Sequence, residues 1–336
     1  MLASFLMLAQ PAQSENYQSF FDYCRASSIS AEEANTIHAI MIKMKVWPDR
    51  TEENCRATAD LVSSRADLNL YPDPFERARQ PITDLRPIAL LTNIKKLTLS
   101  WNAVSDLSPL AEMTQLTALN LFQNQVSDLN PLSGLLNLRS LGLANNQIED
   151  LSPLAALRKM TELNISANQI RDLSAIKGMH QMRLLFASDN QIEDLDALSE
   201  MQELELVSAS NNQLSNIKGL ALLNRLDHVS LAENLISEIG ALSAKPALDA
   251  LDLRSNRIEN IEPLRTSTRL RWLSIEANEV RDIAALGGLQ SLTHLNLTDN
   301  RICSLTAEVA AMQQSHENWS GETIRTRILG IDSQNR

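Results

Sequence analysis

The residues of this chain that could do chemistry are five histidines, three cysteines and a recurring aspartate. A metal centre needs three or four ligands brought together, and a nucleophile needs a base beside it. His38, His180, His228, His294 and His316 are scattered along the sequence. His228 and His294 hold equivalent places in a repeating pattern, but three repeats apart they stand roughly 14 Å from each other at strand spacing, too far for one ion. No H-E-x-x-H, G-x-S-x-G, phosphate-binding loop or dinucleotide fingerprint occurs. Catalysis is therefore not expected, nor is a cofactor or a metal. Cys24 and Cys55 lie in one N-terminal segment and are expected to form a disulfide, worth ~3–4 kcal/mol on the chain-entropy argument. Such a bond implies an oxidising compartment; the other reading is a pair of reduced thiols in a cytosolic protein. Cys303 has no evident partner and is expected to be a buried, inert thiol. Asp106, Asp128, Asp150, Asp172 and Asp194 recur at one spacing, so their oxygens do not converge on an ion. Each precedes a leucine and often a proline (Pro109, Pro131, Pro153), which reads as the cap of a short helical turn.

The element behind these positions is a repeat. Asn102, Asn124, Asn146, Asn168, Asn190, Asn212, Asn234, Asn256, Asn278 and Asn300 follow one another at a constant interval of 22 residues. L-x-x-L-x-L-x-x runs before each asparagine, and x-I/V-x-x-L-x-x-L after it. The 336 residues would suggest about two ordinary domains, but an internal period overrides that prior. L-x-L alternation places Leu119 and Leu121 on one face of a short strand and Ala118 and Asn120 on the other. One coil cannot bury its own leucines; stacked coils can, with strands pairing in parallel about 4.8 Å apart. The asparagine stands where the chain leaves the strand, and its amide can serve backbone groups that would otherwise be buried unpaired. The return segment is too short for a long helix, so 3-10 or irregular turns are expected.

The phrases "NAVSDLSPL", "NQVSDLNPL" and "NQIEDLSPL" resemble the leucine-rich repeat family, in the bacterial 22-residue form typified by internalins. The resemblance covers about two thirds of the chain. It implies an α/β solenoid with a parallel sheet on the concave face and a binding use for that face. The eukaryotic leucine-rich regulators of phosphatases use similar coils, so a cytosolic regulatory subunit is the second functional reading, and a structural role in an envelope the third. After the repeats the chain shows no L-P-x-T-G sorting signal, so wall anchoring is not carried over.

The expected organisation is residues 1–14 a signal peptide or apolar N-terminus, 15–67 a helical N-terminal cap, 68–91 an irregular first repeat, 92–311 ten 22-residue repeats, and 312–336 a C-terminal cap. In the N-terminal cap, Ser30 and Glu33 form an S-x-x-E capping box. Ile37, Ile40, Met41 and Met44 then line one helix face. A second helix begins near Thr51 and carries Cys55. Leu68 and Leu70 read as a strand preceding the regular repeats, with a surplus of residues at 71–81. "TAEVAAMQQSHENW" reads as a closing helix and "TIRTRILGI" as a closing strand. Asn164, Asn296 and Asn318 stand in N-x-S/T sequons, chance matches if the chain is bacterial.

Function should lie where the letters vary. The outward-facing strand positions are mostly small and polar, and the exceptions are Leu184, Phe186, Leu206, His228 and Trp272, with Phe122 in a third column just past the strand. Exposed aromatic side chains among small polar neighbours are what binding hot spots look like. These six are the candidate partner-binding residues. Ala187 and Ala209 stand where other repeats carry Leu or Ile, so a competing reading turns Phe186 or Leu206 inward to fill the space. A net charge of −11 opposes a nucleic-acid partner. No apolar run is long enough to span a membrane. The expectation is a secreted, periplasmic or envelope monomer that binds a protein, with peptide and glycan left open as ligand chemistry and the cytoplasm as the alternative location.

Overall fold

The computed structural model describes residues 17–72 and 80–302. The N-terminal signal reading, the middle of the 71–81 surplus, Cys303, His316, the sequon at Asn318 and the C-terminal cap lie outside the described residues. Within them the chain is a stack of coils whose strands form one parallel sheet of eleven, in strict sequence order. After helices α1 (Phe20–Arg25), α2 (Ala31–Lys43) and α3 (Glu52–Ser63) comes β1 (Asp67–Asn69). A single helical turn, α4 (Arg86–Ala89), leads into the regular series. Its strands are β2 (Lys96–Thr98), β3 (Ala118–Asn120), β4 (Ser140–Gly142), β5 (Glu162–Asn164), β6 (Leu184–Phe186), β7 (Leu206–Ser208), β8 (His228–Ser230), β9 (Ala250–Asp252), β10 (Trp272–Ser274) and β11 (His294–Asn296). Each return path between β2 and β11 is a 3-10 turn, as the short spacing requires.

The central leucine or valine of every strand points inward and is buried, from Leu68 to Leu295. The register keeps these residues in line: Leu119 pairs with Leu141, and Val207 with Val229. The surplus after the first strand does not disturb it, because Leu68 still pairs with Leu97.

The asparagines lock coil to coil. Asn124 accepts a hydrogen bond from the Val104 N–H of the preceding coil at 3.0 Å and donates to the carbonyls of Leu99 and Leu121 at 3.0 Å each. Asn234 repeats the arrangement on Leu214, Ala209 and Leu231. The residue before each asparagine, including Trp101, Ala167, Glu233 and Ala277, adopts left-handed φ values of 52–60°. None of these residues is glycine. The asparagine contacts hold a conformation that an L-residue enters at a cost of ~1–2 kcal/mol.

The aspartates do cap the return turns, one place earlier than a helix N-cap would stand. Asp106 Oδ1 accepts from the Ser108 N–H at 2.8 Å, and Asp150 and Asp172 accept from Ser152 and Ser174 at 2.7 Å. The residue in the N-cap place is a leucine committed to the core, so the cap has to come from its neighbour in an Asx turn. Two coils use asparagine instead, Asn216 to Lys218 N–H and Asn260 to Glu262 N–H.

The N-terminal cap has three helices rather than two. The capping box of Ser30 and Glu33 forms as the spacing predicts. The added helix, α1, carries Cys24, which is bonded to Cys55 on α3. Both cysteines are wholly buried, with Cα atoms 5.7 Å apart. The Tyr23 hydroxyl donates to the buried Glu33 carboxylate, which also meets Arg86 of α4 at 3.2 Å. Burial, then that hydrogen bond, holds the Tyr23 phenol in its neutral form. One chain of polar contacts thus ties α1 and α2 to the first turn of the solenoid.

Candidate functional site

Strand alternation turns two columns of side chains onto the concave face, and Leu184, Phe186, Leu206, His228 and Trp272 lie there. On β6, Leu184 and Phe186 are half-buried on either side of the fully buried Leu185. On β7, Leu206 is half-buried outside Val207. Neither Phe186 nor Leu206 turns into the core: the ladder stays in register, Phe186 opposite Ser208 and Leu206 opposite His228. The inward reading is therefore corrected. Pairing to both neighbouring strands fixes which face each residue presents.

Phe186, Leu206, His228, Ala250 and Trp272 wall one apolar groove across β6–β10. Its floor is made of small hydroxyl residues, with Ser208 bonded to Ser188 at 2.9 Å and Ser230 to Ser210 at 2.8 Å. Leu184 pairs with Leu206 across the ladder and stands at the margin. Trp272 is 38% exposed over the buried Leu273, so its ring belongs to the surface. Phe122 is not brought to this groove. It meets Trp101 edge-on at 5.7 Å near the N-terminal end, beside a separate polar hollow that includes Asn120, Gly142 and Asn164. Trp101 is itself half exposed, and its place on the left-handed turn is what aims it there.

Trp272 is also the wall of a second hollow on its C-terminal side, lined by Asp252, Arg254, Ser274, Glu276, His294 and Asn296. Arg254 Nε donates to Asp252 at 3.0 Å, and this bond, with Glu276 and Glu233 nearby, holds the guanidinium pKa up. Asn296 Nδ2 donates to Glu276 at 2.8 Å. The hydroxyl of Ser274 is 2% exposed as a residue and has no hydrogen-bond partner among the described residues. The 22-residue period puts Asp252, Ser274, His294 and Asn296 at outward strand positions but does not show that they assemble. Opposite charges on neighbouring coils, Asp252, Arg254 and Glu276, were the available signal. Ser274 offered none.

Along the edge where the chain enters the strands, charges pair from coil to coil. Arg183 grips Glu205 through two nitrogens at 3.0 and 2.8 Å, and Arg271 Nη2 donates to Asp249 at 2.8 Å. The Arg271 contact holds the Asp249 carboxyl below its ordinary range. Asp227, between them, meets the His228 ring at 3.0 Å. Among the described residues no three His, Cys, Asp or Glu side chains are placed to share a metal ion. Nor is any described helix long and apolar enough to cross a membrane.

Comparison with known proteins agrees with this architecture. Residues 136–178 match the family described as Leucine Rich repeats (2 copies), and residues 246–302 match Leucine rich repeat. No curated protein matches the chain. Among solved structures, an internalin (inlF) from Listeria monocytogenes is 27% identical, with a TM-score of 0.73 over 84% of this chain and 79% of its own. The functional domain of InlJ from Listeria monocytogenes is 22% identical, with a TM-score of 0.60 over 67% of this chain and 48% of its own. A plant peptide hormone receptor, RGFR1, solved in complex with RGF2, shares the fold at 18% identity and a TM-score of 0.53, over 64% of this chain and 42% of its own. With its unbroken 22-residue period, its asparagine ladder and, among the described residues, its eleven parallel strands, the chain is built of leucine-rich repeats and is similar in fold to the internalins.

Proposed function

We propose that this chain is a non-catalytic binding module, exported from the cell, which grips a protein partner on its concave face. The observation that carries the reading is the apolar groove from Phe186 to Trp272. A soluble protein that leaves a tryptophan and a phenylalanine open on an otherwise small and polar sheet has a use for them. Sites in which an aromatic side chain stands in a pocket provide most of the affinity of an interface. The receptor solved with its hormone RGF2 supports a polypeptide ligand on this fold by analogy. The disulfide of the cap favours export over the cytosolic reading, because reducing compartments keep such thiols apart.

The test is paired substitution with two readouts. Trp272→Ala is expected to leave thermal unfolding nearly unchanged and to weaken capture of the native partner by at least about tenfold, the ordinary loss at a hot spot. Phe186→Ser should act the same way. A large fall in melting temperature with partner capture intact would show that these rings serve the fold and not a ligand.

A further inference from the structure

The two hollows on either side of Trp272 share Asp252 but differ in the rest of their lining, and together they specify a ligand. We infer that the concave face recognises a polypeptide segment carrying a large apolar side chain and, about three or four residues away, a lysine or arginine. This inference rests on the concave-face reading and narrows it.

The apolar half is the groove of Phe186, Leu206, His228 and Ala250, which ends at Trp272. The other half begins on the far side of the same ring. There Asp252 and Glu276 line the hollow, Glu233 stands close enough to act on Arg254, and Arg254 is the one arginine or lysine in the lining. Two lining carboxylates against one guanidinium, with Glu233 near that guanidinium, leave the hollow acidic. A cation entering it gains from the excess carboxylate charge and from the face of Trp272, the aromatic ring best suited to hold one. A carboxylate or phosphate would meet repulsion from Asp252 and Glu276, and Asp252 already occupies the Nε of Arg254.

The floor supplies an independent observation. Ser274 is buried on the concave side between Asp252 and Asn296, lines this hollow, and has no hydrogen-bond partner among the described residues. Buried hydroxyls are nearly always satisfied, and leaving one unpaired has a cost. An ammonium or guanidinium that parts the side chains covering that oxygen would donate to it. The spacing follows from geometry. From Leu206 and His228 to Ser274 is two to three strands, about 10–14 Å, and an extended peptide covers about 3.3 Å per residue.

Selection of short random peptides displayed on phage against the full chain tests this. The enriched sequences are expected to share an aromatic or large aliphatic residue and a lysine or arginine three or four places from it. Synthetic copies should lose about tenfold in affinity when the basic residue becomes alanine, as for a lost hydrogen-bonded charge. Ser274→Ala should raise the melting temperature of the free protein, because an unsatisfied hydroxyl is removed, and still weaken these peptides. Glu276→Gln should weaken them while leaving the apolar requirement in place. Peptides that need Trp272 and Phe186 but carry no basic residue, or that prefer an acidic one, would overturn the inference and spare the concave-face reading. Peptides indifferent to Trp272→Ala, or no enrichment at all, would overturn both.

Discussion

Two single residues carry contributions out of proportion to their size. Asn234 serves four backbone groups: it accepts from Leu214 and donates to Ala209, Leu231 and Ala232. Leucine at this position would leave those groups without their partner, each at about 1–3 kcal/mol if water cannot reach it. We expect Asn234→Leu to destabilise by at least about 3 kcal/mol, read as a shift in urea midpoint, and Asn234→Ala to do little better. Lys245 makes the contrasting case. It is 1% exposed in a column where the earlier coils bury Leu91, Met113, Leu135 or Met201. Its ammonium donates to the carbonyls of Leu220 and Ala221, and burial pulls its pKa down. Because the folded pKa lies below the unfolded one, the folded state disfavours the charged form. That penalty is present in full below the folded pKa and fades as pH rises toward 10.5. Lys245→Met is expected to stabilise near neutral pH by about 1 kcal/mol or more, as apolar replacements of buried charges do. The advantage should shrink in alkaline buffer, and an advantage independent of pH would refute this account. The sequence revealed the asparagines because their function demands one residue type at every turn. It did not reveal Lys245, since a single lysine in an otherwise regular phrase reads as a surface residue until the fold buries it.

At the scale of elements, the return turns and the N-terminal cap each answer to a measurable condition. Asp150 and Asp172 are held below the usual carboxyl range, first by the hydroxyl and then by the N–H of Ser152 and Ser174. A depressed folded pKa gives stability that is present above the unfolded value of 3.8 and lost as pH falls through the folded one. Replacing both by asparagine, which already caps the coils at Asn216 and Asn260, should flatten the acid-unfolding profile below about pH 4 and change little at neutral pH. In the cap, the disulfide closes a sequence separation of 31 residues. Its loss in Cys24→Ser should cost about 3–4 kcal/mol and fray α1 from α3 first, seen as faster amide exchange there. The capping box of α2 and the place of Cys55 were legible from local spacing. Helix α1 was not, because its six residues are too few to show a period, and it is held by Tyr23, Cys24 and the contacts of Arg50 with the Cys24 and Ala26 carbonyls.

At the scale of the molecule, constant register makes the coils interchangeable. Removing residues 125–146 takes out one period and joins matching positions. The shortened chain should fold, since each coil contacts only its neighbours, and should keep the groove intact. An equivalent deletion between Phe186 and Trp272 should fold equally well and lose the partner. The sheet, its order and its inward leucines could all be read from the sequence for this reason: ten copies of one phrase leave a single register available. The hollows could not, because they arise where unlike letters from separate copies meet. The same regularity sets how anything laid across the strands is measured. The coils form a grating of about 4.8 Å pitch, and an extended polypeptide is a grating of about 3.3 Å, so they behave as the two scales of a vernier. Three residues of ligand match two coils. Side chains on one face of the ligand come back into step only every four coils, the interval from the strand of Phe186 to that of Trp272. A ligand shifted by one residue falls out of phase along the whole span, so selectivity for alignment is built into the pitch of the solenoid itself.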